Sequence, residues 1–437
     1  MRYTRIIILL FMLLAPRAAK SDTYNLNEFL AAVRQHSNDL KLAEKEKEMA
    51  KVNKKEAIST ALPKVGLDAG YTRNISDYYM YFDMSAIMPG AAGVVKAPVK
   101  RNNEYSASVG LQQTLFSPTV GSAIKAANQY QKLTDFVYEA SEQAIIAGAK
   151  KLFYQCLLLE KVWEVTRAAR ENARANYENM NLKYENGQIS QLALLQAETR
   201  WRATIPETEK ARRNWNLAMN TLKNMAGFDL NQEIRIEGSF DNIPQLPDSI
   251  TLESILRSRP DFNALLWEEK LRKTSVAATK GAYLPTLSGT VAYAYSAQSD
   301  DFVLDQENNL LFAGVKLSLP IFTGGYRRAN IQKAQLELDK VHVKIDKTRE
   351  NISNEISNIY LLLTEAYERI KSAESTWKVA EKAFNITETT TNDGLTTQLE
   401  LKDARLMYDQ ARLNYYAAVL DYLTAYFSWE LATGKIK

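Results

Sequence analysis

Residues 352–384 read ISNEISNIYLLLTEAYERIKSAESTWKVAEKAF, and their spacing decides the architecture. Apolar or small residues fall at Ile352, Ile356, Ile359, Leu363, Ala366, Ile370, Ala373, Trp377, Ala380 and Phe384, alternately four and three apart. That alternation keeps one stripe of a helix turned to a partner, which is the seam of a coiled coil. From Arg327 to Thr390 there is no proline and no glycine, so a helix there would run roughly 95 Å at 1.5 Å per residue. The stretch from Ser122 to Asn186 carries a second seam, through Ile145, Ala149, Leu152, Cys156, Leu159 and Trp163, with Gly148 as its one interruption. Cys156 sits on that seam where Leu363 sits on the other, which makes it a packed thiol.

The two seams belong to a longer duplication. A shift of 207 residues lays Gly187 on Gly394, Gln191 on Gln398, Leu192 on Leu399, Ala197 on Ala404 and Gly227 on Gly434, with no gap between residues 145 and 227. Upstream, Leu62-Pro63 answers Leu284-Pro285. Each half therefore orders helix, Leu-Pro stop, two strands, a very long helix, a glycine turn and a closing helix. The expected division is a first repeat over 21–227, a linker over 228–250 and a second repeat over 251–437. Gly187 and Gly394 supply the backbone freedom for the turns between antiparallel helices.

The strands alternate. Val65, Leu67 and Tyr71, then Tyr105, Val109 and Leu111, then Leu287, Val291 and Tyr293, and finally Val315, Leu317 and Leu319 form the apolar set, interleaved with Ser, Thr, Gly, Asp and Lys. Runs of this length suit tilted membrane strands, with those residues facing lipid and their neighbours facing water. Four strands cannot close, and an open edge in a bilayer leaves backbone groups without partners. Three copies would supply twelve strands. The expected fold is thus an α+β membrane protein, mostly long α-helices, with four transmembrane strands per chain in a trimeric twelve-stranded barrel.

Composition agrees with an exported protein of some size. The chain has 437 residues, 46% hydrophobic and 24% charged, too apolar for disorder. Arg2 and Arg5 precede an apolar run from Ile6 to Ala15, the pattern of a signal peptide over 1–20. A cut after Ala19 would take Arg2, Arg5 and Arg17 away and bring the formal charge from +4 to about +1, which asks for no nucleic acid. Cys156 is the one cysteine, so no disulfide is available. His36 and His342 are the only histidines, and no metal motif, phosphate loop or nucleophile elbow occurs. No enzyme activity, cofactor or metal is expected.

Taken in order, Leu26 to Leu40, Leu62-Pro63, Leu284-Pro285, the run Leu319-Pro320-Ile321-Phe322-Thr323-Gly324-Gly325 and the segment from Gly394 to Gly434 resemble the TolC-like outer membrane efflux protein family. The resemblance covers nearly all of the chain after the signal. It implies a homotrimeric duct whose β-barrel lies in the outer membrane and whose helices form a periplasmic α-barrel, serving an inner-membrane pump through a periplasmic adaptor. It implies that the tube narrows near Gly187 and Gly394, where the adaptor would make contact, and that Glu400 and Asp403 form an acidic ring at the periplasmic aperture. Their i, i+3 spacing puts both carboxylates on one helical face. Thr391 and Thr396 depart from the family pattern at positions where polar latch residues stand in the best-known member. The long first loop, about Ile75 to Lys100, would be extracellular. The competing expectation is an exported coiled-coil scaffold or adhesin without a pore; the transported substrate is not written in the sequence.

Overall fold

The computed structural model describes residues 22–83, 93–393 and 395–436; the expected signal peptide and Gly394 lie outside them. The elements in chain order are β1 (Asp22–Tyr24), α1 (Leu26–His36), α2 (Asn38–Ser59), β2 (Lys64–Arg73), β3 (Tyr79–Asp83), β4 (Val94–Pro98), β5 (Asn103–Phe116), α3 (Pro118–Glu185), α4 (Gln191–Met225), β6 (Ile234–Ile236), α5 (Leu252–Ser258), α6 (Pro260–Gly281), β7 (Thr286–Ser299), β8 (Asn308–Ser318), α7 (Tyr326–Asn392) and α8 (Gln398–Ala432). Helices α3 and α7 have 68 and 67 residues, and α4 and α8 have 35 each. Proline sits where the strands and helices exchange: Pro63 follows α2, Pro118 opens α3 and Pro285 precedes β7, positions where a missing N–H costs little.

The residues separate into two compact units. One comprises the chain up to Lys47, Thr134–Ala264 and the chain from Ile345. Its core draws Phe29 and Val33 from α1, Ile146, Phe153 and Cys156 from α3, Leu222 from α4, Leu363 and Ala366 from α7, and Val419 and Tyr422 from α8. Burying each large apolar side chain contributes about 1.5–3 kcal/mol. Strand β1 pairs in parallel with β6, Asp22 opposite Ile234, which anchors the start of the described chain on the segment expected to be a linker in the equatorial region. The paired long helices interlock by flat aromatic stacks: Trp163 on Trp215 at 5.0 Å, Tyr177 on Trp201 at 5.2 Å, Trp377 on Tyr415 at 5.1 Å and Phe384 on Tyr408 at 5.6 Å.

The other unit, Glu48–Leu133 with Leu265–Lys344, holds a four-stranded antiparallel sheet in the order β2-β5-β7-β8. Pairing sets Val65 opposite Leu111, Leu67 opposite Val109 and Tyr71 opposite Tyr105. It continues with Val109 opposite Tyr293 and Leu111 opposite Val291, then Leu287 opposite Leu317. Because side chains alternate with period two, these registers collect the expected apolar positions of the four strands onto one face, while Leu310 and Phe312 of β8 fall on the other, opposite Ala294 and Ala292. The opposite face carries Asp68, Ser106, Ser108, Gln112, Ser288, Thr290 and Lys316. A bulge between Thr114 and Phe116 resets the register so that Phe116 stands opposite Leu287, and the Leu115 side chain lies over Gly289 on the same apolar face. Leu319, expected within the last strand, is one residue past the end of β8. In the long first loop, β3 and β4 form a separate two-stranded hairpin.

Candidate functional site

The sheet is exposed on its apolar face. Val65 is 70% exposed, Leu67 73%, Val315 69% and Leu317 67%, and Tyr71, Val109, Leu111, Val291 and Tyr293 are exposed as well; Tyr105 and Leu287 are half-buried. A water-soluble protein does not leave such a band uncovered. Every residue of β2 and of β8, the two edges, is exposed, so each edge offers an unpaired row of backbone N–H and C=O groups among the described residues. At the far end of the strands Tyr71, Tyr105 and Phe302 cluster with ring centres 5.3 to 6.1 Å apart. The Tyr71 hydroxyl donates to Asn103 Oδ1 at 2.9 Å, Arg73 donates to the same oxygen at 2.8 Å, and Arg101 pairs with Asp300 at 2.6 Å.

Two helical turns end the long hairpins. At the first, Gly187 has φ +69°, a left-handed value that closes α3 as its own N–H donates to Tyr184 O and that of Gln188 to Lys183 O. Ser190 then caps α4 by accepting from the Ala193 N–H at 3.3 Å. At the second turn the Leu395 N–H donates to Thr390 O at 2.8 Å. The Thr396 hydroxyl bonds those of Thr391 at 2.7 Å and Thr390 at 3.1 Å, so the two threonines that depart from the family pattern hold each other across the turn. Thr397 caps α8, and Glu400 returns the bond: the Thr397 N–H donates to Glu400 Oε2 at 2.8 Å and the Glu400 N–H to Thr397 Oγ1 at 3.3 Å. The backbone N–H of Thr397, and after it the hydroxyl, hold the Glu400 carboxyl below its ordinary value. Asp403 is exposed one turn further along α8. Between them Lys402 is pushed down by burial and by Arg200 of α4.

His342 Nε2 lies 3.1 Å from Glu269 Oε1, and Cys156 is buried, its thiol pushed up to about 12 by burial and by Glu160. Among the described residues no cluster of His, Cys, Asp and Glu is placed to hold a metal ion, and no helix is long and apolar enough to cross a membrane. Sequence reasoning missed the Glu400 cap and Pro206 inside α4. The Thr-x-x-Glu spacing of residues 397–400 signalled the first.

Comparison with known proteins turns this arrangement into a class. The model of the family described as outer membrane efflux protein matches residues 30–228 and 251–435. The chain belongs to that family, which places it in the outer membrane. It is 22% identical over 344 residues to outer membrane protein TolC of Escherichia coli (strain K12) and 22% identical over 242 residues to the alkaline protease secretion protein AprF of Pseudomonas aeruginosa. Those matches take in 75% and 54% of the chain; it spans 65% of the length of the first relative and 50% of the second. The fold is similar to that of the Campylobacter jejuni CmeC outer membrane channel, with a TM-score of 0.75 at 19% identity, covering 94% of this chain and 86% of that one. It is similar also to the Neisseria gonorrhoeae MtrE channel in its open state, with a TM-score of 0.73 at 17% identity, covering 94% and 89%.

Proposed function

We propose that three copies of this chain close into a continuous outer-membrane exit duct, fed by an inner-membrane pump through a periplasmic adaptor, and that it conducts substrates without altering them. The observation that carries the reading is the sheet: one mostly apolar face, one mostly polar face and two open edges. An edge left open in lipid costs several kcal/mol per unsatisfied backbone group, and pairing β8 of one copy with β2 of the next removes both edges at once, giving a twelve-stranded barrel with its polar face inward. The matching lengths of α3 with α7 and of α4 with α8 support the reading of the chain as a duplicated unit whose helices continue the tube. The turns at Gly187 and Gly394 form its inner tip and meet the adaptor, and Glu400 and Asp403 line the aperture. No side chain is assigned a chemical step.

Outer-membrane fractionation followed by gentle-detergent sizing tests this directly. The expected product is a heat-sensitive trimer that forms conducting pores in a planar bilayer; a correctly exported soluble monomer overturns the proposal.

A further inference from the structure

The two ends of the strands differ in charge. The segments next to the helices, residues 52–64, 112–125, 273–286 and 316–333, hold ten lysines and arginines and a single acid, Glu56. The segments at the other end, residues 73–83, 93–104 and 299–308, hold four basic residues and seven acids. Lys64 and Lys316 stand on the polar face of the sheet and so do not belong to its lipid side. Of the other eight, Lys125, Lys273 and Lys280 lie on two helices that share one cavity or ridge. Along the strand-proximal part of α6, from Leu265 on, the exposed positions fall in one ridge, Lys270, Lys273, Ala277 and Lys280, three and four residues apart. Facing the ridge, α3 presents the exposed Lys125, and Pro118, Gly121 and Ser122 of α3 share with Lys270 and Lys273 a cavity of about 470 Å³.

Three features narrow what such a ridge takes. Helix α3 starts two residues after β5 and α6 ends five before β7, so Lys125 and Lys280 lie within about 10 Å of the helix ends that abut the strands, a depth that a lysine side chain spans to the headgroup layer. Strands β5 and β7 are the inner pair of the sheet, so the ridge stands away from the edges where a second copy would pair. Immediately above it Leu115 and Phe116 are exposed on the apolar face. Lys273 is matched by Glu269 at 2.6 Å and Lys270 lies over the Trp267 ring at 3.8 Å, whereas Lys125 and Lys280 have no carboxylate within ion-pair distance among the described residues.

We infer that the lysine ridge of α6 and Lys125 of α3 bind the phosphodiester headgroup of an anionic phospholipid in the periplasmic leaflet, its acyl chains lying on Leu115 and Phe116. A net negative phosphodiester accepts charge-assisted hydrogen bonds from the ammonium groups, whereas the ammonium of a zwitterionic ethanolamine headgroup is repelled by the same lysines. This inference rests on the sheet being inserted in the membrane. It is tested on the purified trimer in neutral detergent by the thermal midpoint with added short-chain phosphatidylglycerol, short-chain phosphatidylethanolamine or inorganic phosphate. The glycerol lipid alone should raise the midpoint, the rise should shrink in about 0.5 M NaCl, and Lys125→Gln/Lys273→Gln/Lys280→Gln should reduce it to the ethanolamine level. Neutralising Lys371, Lys378 and Lys382 instead should leave it unchanged. Equal shifts from the two lipids, or the full glycerol-lipid shift from phosphate alone, overturn the inference. Equal protection by polyglutamate also overturns it, assigning the ridge to an acidic protein. If the triple variant does not assemble, the lipid preference and salt dependence of the native trimer decide. A trimer that shows no lipid preference refutes this inference alone, while failure to obtain a membrane trimer refutes the reading beneath it.

Discussion

Glu400 caps α8, and the aperture role proposed for it would pull its carboxyl in the opposite direction. As the partner of Thr397 it is held below the ordinary glutamate value by a backbone N–H and then a hydroxyl. Its capping contribution is thus fully present above the unfolded value, about 4.3, and is lost as pH falls through the lowered folded value. In a ring of three copies, like charges would raise it instead. Glu400→Gln with Asp403→Asn keeps the shape, and a glutamine at that position still caps. We expect cation selectivity of the pore, read as reversal potential under a salt gradient, to weaken in the double variant with little loss of trimer; an unchanged reversal potential would place both acids away from the aperture. Cys156 should resist thiol reagents in the folded trimer and react on unfolding, because burial holds its thiol protonated up to about 12.

Helix ends are fixed by contacts far apart in sequence. Gly434, with φ +66°, ends α8 so close to the α5–α6 junction that an added Cβ would stand 2.6 Å from Ser258 O, and the same approach recurs at Gly227 against His36 O. Beside it the Arg259 guanidinium donates to Ala432 O at 3.1 Å, to Glu355 at 2.7 Å and twice to Asp261. Burial pushes Asp261 up, but the hydrogen bonds from Arg259 outweigh it and hold the carboxyl below its usual value. Arg259→Ala should destabilise this unit by about 2 kcal/mol, measured by denaturant unfolding. Asp261 being depressed, its share of the loss should be full above the unfolded value, about 3.9, and disappear as pH falls through the lowered folded value. The seams were legible in sequence because they repeat locally: Ile352, Leu363, Ala366 and Ile370 are all buried. So were the strand faces, since alternation survives any pairing that keeps parity. The bulge at Leu115, the β1–β6 pair and the Arg259 junction were not, because each depends on which distant segment arrives opposite, and single-chain periodicity carries no such information. At the tip, the acids were visible as a spacing and the cap as a Thr-x-x-Glu signature, and the geometry shows Glu400 making the cap.

For the whole molecule the decisive test is the difference between the two faces of one sheet. Leu67 and Ser108 are close in the pairing yet on opposite faces, Leu67 facing Val109 and Ser108 facing Asp68 across β2 and β5. Leu67→Arg should cost about 2–4 kcal/mol if it meets the bilayer midplane and should cut the yield of heat-sensitive trimer in outer-membrane extracts. Ser108→Arg should leave the yield near wild type, and equal effects would show that the faces do not separate lipid from water. The aromatic stacks of the long hairpins bear on motion. Trp163 on Trp215, Tyr177 on Trp201, Trp377 on Tyr415 and Phe384 on Tyr408 act as rungs of two ladders. Each flat pair is worth about 0.5–1.5 kcal/mol beyond its burial, and sliding one helix along its partner by a single turn, about 5.4 Å, would unseat both rungs of a ladder together. Tilting a hairpin as one stiff beam unseats none, so mechanical compliance in these hairpins is cheap in bending and dear in shear.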